Sequence, residues 1–385
     1  MNWFEFLLQD FSLSGVWGVV FTVYGLSWII LMIYYWGFFS RLAFFKDKPA
    51  EYAQESYPPV SVIIAAKNEY PSLKKFLPKI LKQDYKNFEV IVVNDASIDD
   101  SQELLDDLKR KYKHLKVIHL YENVNFFKGK KFPLSVGIRS AQYEHLLLTD
   151  ADCSPASDHW IQTMINHYDE NTEIVLGYGA YEMKSGLTNL FQRYDTILTA
   201  IQYFSFALAG TPYMGVGRNL SYLKTLFNRS KGFSSHYKIK SGDDDLFVNK
   251  VANAKNTKVC IRPEGVTISE SSDNLLQWIS QKRRHITTGR YYKSKHKFLL
   301  GLFNAARLLF WSTLIALLIP FFNGLYVIAP GLVMLFTFMF IQKRCMDRLG
   351  EKKLLIISPL LDILLLFIYL FINFANLIRK PDKWK

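Results

Sequence analysis

The sequence predicts an α/β domain with a mostly parallel sheet, flanked on both sides by transmembrane helices. Short apolar runs alternate with amphipathic helical stretches between residues 57 and 297. One long apolar segment precedes that region and three follow it. Half of the 385 residues are hydrophobic and 16% are aromatic, an excess that the apolar segments account for.

The elements of the middle region follow in order. "VSVIIAA" reads as a strand and "SLKKFLPKILKQ" as the helix after it. "FEVIVVN" is a second strand, and "DDSQELLDDLKRKY" a helix with acids first and bases last, matching the helix dipole. "KVIHL" and "HLLLT" add two strands with a helix between them. Fully apolar strands alternating with helices imply a parallel sheet covered on both faces. In such sheets ligands gather at the carboxyl ends of the strands. Lys67, Asn68 and Glu69 lie there after the first strand, Asp95 after the second, and Asp150 and Asp152 after the fourth. No Gly-x-Gly-x-x-Gly follows the first strand, which argues against a dinucleotide fold. In an extended segment residues i and i+2 point the same way, so Asp150 and Asp152 can reach one object. Two carboxylates at close range call for neutralisation, as by a divalent cation; the competing reading is a solvated loop that opens a helix at Ser157 or Asp158.

The apolar segments run Ser14–Phe39, Leu308–Phe322, Leu325–Ile341 and Leu354–Ile378. The first is uncharged and long enough to span a bilayer. It has Glu5 and Asp10 on one side and Arg41, Lys46 and Lys48 on the other, so the positive-inside rule puts the middle region in the cytoplasm. The second and third are joined by an Asn-Gly turn and read as a hairpin. Pro359 and Asp362 leave a re-entrant path open for the last, whose far flank (Arg379, Lys380, Lys383, Lys385) is also basic. The expected organisation is an anchor and linker (1–50), a catalytic-type domain with an interfacial segment (57–297) and a membrane region (298–385). A net charge of +13 suits anionic partners. Its basic residues cluster near the membrane segments, where they suit lipid headgroups, and no nucleic-acid motif appears. Three scattered cysteines, Cys153, Cys260 and Cys345, fit neither a disulfide framework nor a zinc site.

"VSVIIAAKNE", "VIVVNDASIDDS", "GKKFPLSVG" and "LLLTDADC", in this order, resemble the nucleotide-sugar half of family 2 glycosyltransferases. "GVGRNLSY", "SGDDDLFVNK" and "QKRRH" follow where that family has its acceptor half. The resemblance covers about Pro58 to Gly289 and matches the membrane-bound branch that makes polysaccharides or glycolipids. It implies a GT-A cytosolic domain at the inner membrane, a UDP-sugar donor, a carbohydrate or lipid acceptor, and transfer with inversion.

The same resemblance implies roles. Asp95 would take the base or ribose, with Ala65 and Glu69 alongside. Asp152 would bind Mg²⁺ or Mn²⁺ on the diphosphate, and Asp150 the ribose or the metal shell. Lys130 would lie beside the donor. Asp244, flanked by Asp243 and Asp245, would be the base that takes the acceptor proton. Gln281 would touch the acceptor and Arg284 hold the diphosphate, as in the Gln-x-x-Arg-Trp motif of processive members. His285 stands on the donor side in place of that Trp, so the motif's aromatic platform for the acceptor sugar is missing. Gly217, Arg218 and Asn219 would line the acceptor site. Cys153 reads as a buried filler. A catalytically silent nucleotide-sugar-binding subunit of an export system is the alternative, and intact acids at all three places count against it.

Overall fold

A computed structural model describes residues 15–48, 57–121, 129–239, 241–272, 274–319 and 324–378. Glu5, Asp10, Asn323 of the expected turn, and the basic flank Arg379, Lys380, Lys383 and Lys385 lie outside them. The chain falls into two compact units, Met1–Phe45 with Lys293–Phe371 and Lys46–Tyr292 with Ile372–Lys385.

The larger unit is built on a seven-stranded sheet in the order β3-β2-β1-β4-β8-β6-β9. Its strands are β1 (Val60–Ala66), β2 (Phe88–Asp95), β3 (Leu115–Leu120), β4 (His145–Leu148), β6 (Ile174–Leu176), β8 (Leu220–Leu223) and β9 (Thr257–Val259). A smaller sheet pairs β5 (Cys153–Pro155), β10 (Thr267–Ser269) and β7 (Gly179–Tyr181) in the order β5-β10-β7. The four strands read from the sequence are mutually parallel, with Val62 opposite Val90 and Leu147. β8 departs from that plan, running antiparallel to both β4 and β6. The three-residue strands β5, β6, β7, β9 and β10 escape sequence reading because three residues carry no usable period.

Every residue of β1 is buried, as a strand covered on both faces requires. The helix Lys131–Ser140 covers one face, and Gly137 lets it approach closely: a Cβ there would lie 2.9 Å from Ile63 Cγ2 and 3.1 Å from Val93 Cγ2. At the opposite face Leu73, Leu77, Ile80, Trp160 and Met164 pack on Val62, Ile64 and Val90 in one buried cluster. Away from the site, His167 Nε2 meets Asp47 at 2.8 Å, which holds the stretch 46–48 against this domain.

The smaller unit carries helices long and apolar enough to cross a membrane. Four such spans occur among the described residues of the chain: Val16–Ala43, Ser294–Leu318, Leu325–Arg348 and Ser358–Ile378. The first contains a π-helical stretch, Tyr34–Phe39. The second begins well before the expected Leu308, taking Lys295 and Lys297 into its first turn. Ser358–Ile378 is one unbroken helix, with Pro359 in its first turn where a missing N–H costs nothing. Asp362 is neutralised by Arg307, whose guanidinium also lies 5.2 Å from the Phe303 ring; both charged side chains are almost fully buried. A paired carboxylate of this kind suits a spanning helix as well as a re-entrant one.

Candidate active site

The loops leaving β1 and β2 are stitched together. Asn68, in the left-handed region at φ 52°, donates its N–H to Ser97 Oγ at 2.9 Å and accepts from the Ile98 N–H at 2.9 Å. The Tyr70 N–H reaches Asp99 Oδ2 at 2.9 Å. This stitching holds the strand-end residues in place. Asp95 is buried beside Lys67 Nζ at 3.6 Å, while its Oδ1 has no hydrogen-bond partner among the described residues. A buried, unsatisfied carboxylate oxygen at a strand end is an acceptor waiting for a donor group. Ala65 is buried one residue from the end of β1, and Glu69 accepts from Ser72 Oγ at 2.9 Å.

The turn after β4 brings Asp150, Asp152 and Cys153 together, with one ligand atom from each lying within 4.8 Å of the others. Thr149 anchors the turn through its N–H on Ile63 O and its hydroxyl on Arg218 O at 2.9 Å. Lys130 Nζ donates to Asp150 Oδ1 at 2.8 Å. Both side chains remain over a quarter exposed, so solvent reaches the pair. Burial pushes the Asp150 carboxyl up, but Lys130 and Arg218 outweigh it and hold it below the usual carboxylate range. Asp152 is pushed the other way, first by burial and then by repulsion from Asp150. An uneven pair of this sort fits a hard cation, which would relieve the repulsion and favour ionised Asp152. Cys153 fits such a cation poorly: it shares a hydrogen with Ser269 Oγ at 3.0 Å, and burial pushes its thiol well above the ordinary value.

The acidic triplet opens the helix Asp245–Val251. Asp244 is the N-cap and accepts from the Asp245 N–H at 2.7 Å and the Gly217 N–H at 2.7 Å. Burial, then repulsion from Asp243 and Asp245, raises its pKa well above the carboxylate range. Asp245 accepts from the Thr288 and Tyr292 hydroxyls and from the Leu246 N–H at 2.7 Å. It therefore braces the segment that follows the Gln-x-x-Arg helix.

That helix, Leu275–Ile286, is capped by Asn274, whose Oδ1 accepts from the Leu276 N–H at 2.9 Å. Lys282 pairs with the buried Asp195 of the helix Leu187–Leu208. Arg284 is half-buried, its Nε has no hydrogen-bond partner, and its guanidinium feels Asp243, Asp150 and Asp244. His285 has an exposed surface but is crowded by surrounding protein. That crowding, with Arg284, Lys282 and Arg218 nearby, pushes its imidazole down to about 3, so the ring is neutral.

The electrostatic neighbours define one assembly. Lys130 feels Asp150, Asp243 and Asp152; Arg284 feels Asp243, Asp150 and Asp244; Asp152 feels Glu69. Gln281 is exposed and makes no side-chain hydrogen bond among the described residues. One sequence expectation changes. Asn219 is not at the site surface: it is buried and bonds Trp160 Nε1 at 3.1 Å, Tyr178 O at 2.9 Å and Gly265 O at 2.7 Å, a core tie. Arg218 lies over the Tyr181 ring at 4.6 Å, in the field of Asp150 and Asp152. The bonds of Lys131 and the brace on Asp245 carry no motif signal, because the partners are remote in sequence.

Comparisons with known proteins agree with this architecture. Residues 61–233 match the Glycosyl transferase family 2 profile. A poly-beta-1,6-N-acetyl-D-glucosamine synthase of Staphylococcus epidermidis is 28% identical over 213 residues, 53% of this chain and 47% of that protein. A synthase of the same name from Staphylococcus aureus is 26% identical over 248 residues, 64% of this chain and 56% of that protein. The chain thus spans about half the length of the curated relatives it matches. A solved mannosyltransferase of Pyrobaculum calidifontis, in complex with GDP-Man and Mn2+, superposes with a TM-score of 0.58 at 18% identity, covering 86% of this chain and 97% of its own. The fold is accordingly GT-A, and the family 2 match lies within that fold, over residues 61–233.

Proposed function

We propose that the chain is an inverting glycosyltransferase that moves a sugar from a nucleoside-diphosphate sugar, of the UDP-sugar class, to a glycan or lipid acceptor at the inner face of a membrane. The observation that carries this reading is the convergence of the unevenly charged Asp150–Asp152 pair, the recessed Asp244, and the cations Lys130, Arg218 and Arg284 on one cleft. Asp95, with its open Oδ1, receives a donor group of the nucleoside. Asp152, with Asp150, would hold Mg²⁺ or Mn²⁺ together with diphosphate oxygens. When bound, the cation supplies Lewis-acid stabilisation of the departing nucleoside diphosphate.

The chain's own residues do the rest. Lys130, Arg218 and Arg284 stabilise negative charge as it collects on the diphosphate. Asp244 takes the proton of the acceptor hydroxyl as that oxygen forms its bond to the anomeric carbon and the bond to the diphosphate breaks. Its raised pKa suits this task, because a carboxylate of higher pKa is the stronger base toward the acceptor hydroxyl. Two backbone N–H bonds fix its orientation and leave lone pairs for the acceptor. Asp243 stays beside Arg284 and Lys130 as a charge partner.

The curated relatives carry a polysaccharide-synthase name, which favours a polymer product. His285, standing where an aromatic platform is expected, favours single addition to a lipid acceptor. Purified full-length protein in detergent, given UDP-sugars with Mn²⁺ or Mg²⁺ and lipid or glycan acceptors, tests the reading. Metal-dependent transfer supports it, and product size separates polymer from single addition. Donor binding without turnover would replace it with the silent nucleotide-sugar-binding subunit.

A further inference from the structure

Lys131 stands apart from its neighbour Lys130. Its side chain is buried, and its Nζ donates to three backbone carbonyls: His236 O at 2.9 Å, Ile239 O at 2.5 Å and Ser241 O at 2.7 Å. An ammonium has three N–H donors, so these bonds use all of them and none is left for a substrate. The carbonyls belong to the segment that runs straight into Gly242, at φ 93°, and then into Asp243, Asp244 and Asp245. His236 adds no competing charge, since burial, then Lys131 and Lys250, push its imidazole down to about 4. The other end of Lys131 is fixed by the sheet, because its helix is the one seated on β1 and β2 through Gly137.

Resting on the proposed transferase reading, we infer that Lys131 is a positioning residue that ties His236, Ile239 and Ser241 to the donor-side helix and so sets where Asp244 sits relative to the donor. Lys130 and Lys131 are consecutive at the start of that helix, one bonding Asp150 and the other the loop of the base. Donor binding and base placement are thereby referred to a single rigid element. A misplacement of about 1 Å in such a constellation lowers turnover about a hundredfold.

The test uses full-length Lys131→Met and Lys131→Arg in detergent. It reads transfer kinetics, UDP binding with Mn²⁺, and hydrogen exchange along the domain. The Met variant is expected to lose turnover about a hundredfold with little change in donor KM or UDP affinity. Exchange is expected to quicken only across 236–245, and the Arg variant to recover part of the turnover. Wild-type turnover in a folded Met variant, a raised KM at unchanged kcat, or loosening spread over the whole domain would each overturn the assignment. Should the wild type itself transfer nothing, the functional reading fails, while exchange at 236–245 still decides whether Lys131 positions that loop.

Discussion

The cleft holds two acidic clusters that the protein treats in opposite ways. In the Asp244–Asp245 cluster the hydrogen bonds are closed within the protein: Asp244 takes two backbone N–H groups, and Asp245 takes two hydroxyls and a third N–H. At Asp150–Asp152 they are not: one carboxyl is held ionised by Lys130, and the other is lifted by burial and its neighbour's charge. A closed cluster fixes geometry, and an open one is ready for a ligand. On the proposed reading, the difference separates the group that is aimed from the groups that bind.

Changing the closed cluster should have the largest effect. Asp244→Asn keeps the shape and one of the two backbone N–H bonds but removes the proton acceptor, and transfer is expected to fall about a thousandfold while UDP affinity holds. In the wild type, the acid limb of turnover should lie above the ordinary carboxylate range, because Asp244 must lose its proton to act and its pKa is raised. A pH–rate profile checks this. Asp152→Asn at the open cluster is expected to lower turnover about a hundredfold, about 2.7 kcal/mol of barrier, and to raise the metal concentration needed for half activation. Metal titration at saturating donor reads it.

A smaller effect lies outside both clusters. Burial alone would lower the pKa of His167, but its bond to Asp47 and its contact with Cys260 raise it to about 10. A group raised in the folded state stabilises fully below its unfolded pKa of about 6.5 and loses that contribution as pH climbs through about 10. Thermal unfolding across that window should show the decline, and His167→Gln should abolish it at a cost of about 2 kcal/mol. Smallest of all is Cys153→Ala, which should leave the metal-activation midpoint unchanged, since the thiol stays protonated on Ser269. A shifted midpoint would add Cys153 to the ligands.

How much of this was legible in the sequence follows the same division. The open cluster, with Asp95 and Glu69, could be read because strand ends and i, i+2 spacing are local features. A parallel α/β plan was legible for β1 to β4, whose apolar runs alternate with helical stretches, while GT-A came with the family resemblance. The three-residue strands β5, β7 and β10 were not. Asn219 looked like an acceptor residue because its neighbours resemble a motif, yet its three hydrogen bonds go to partners 41 to 59 residues away. Lys131 was invisible for the same reason: its carbonyls lie 105 to 110 residues downstream. Long-range closure of polar groups fixes the aim of the base, and no local pattern records it.

The most direct test of the account measures sugar transfer and UDP binding together in wild type, Asp152→Asn and Asp244→Asn, with and without Mn²⁺. The account predicts metal-dependent transfer in the wild type, transfer about a hundredfold lower with weakened metal-assisted UDP binding in Asp152→Asn, and transfer about a thousandfold lower with that binding retained in Asp244→Asn. Undiminished transfer in Asp244→Asn, or no transfer by the wild type with any donor and acceptor, would contradict it.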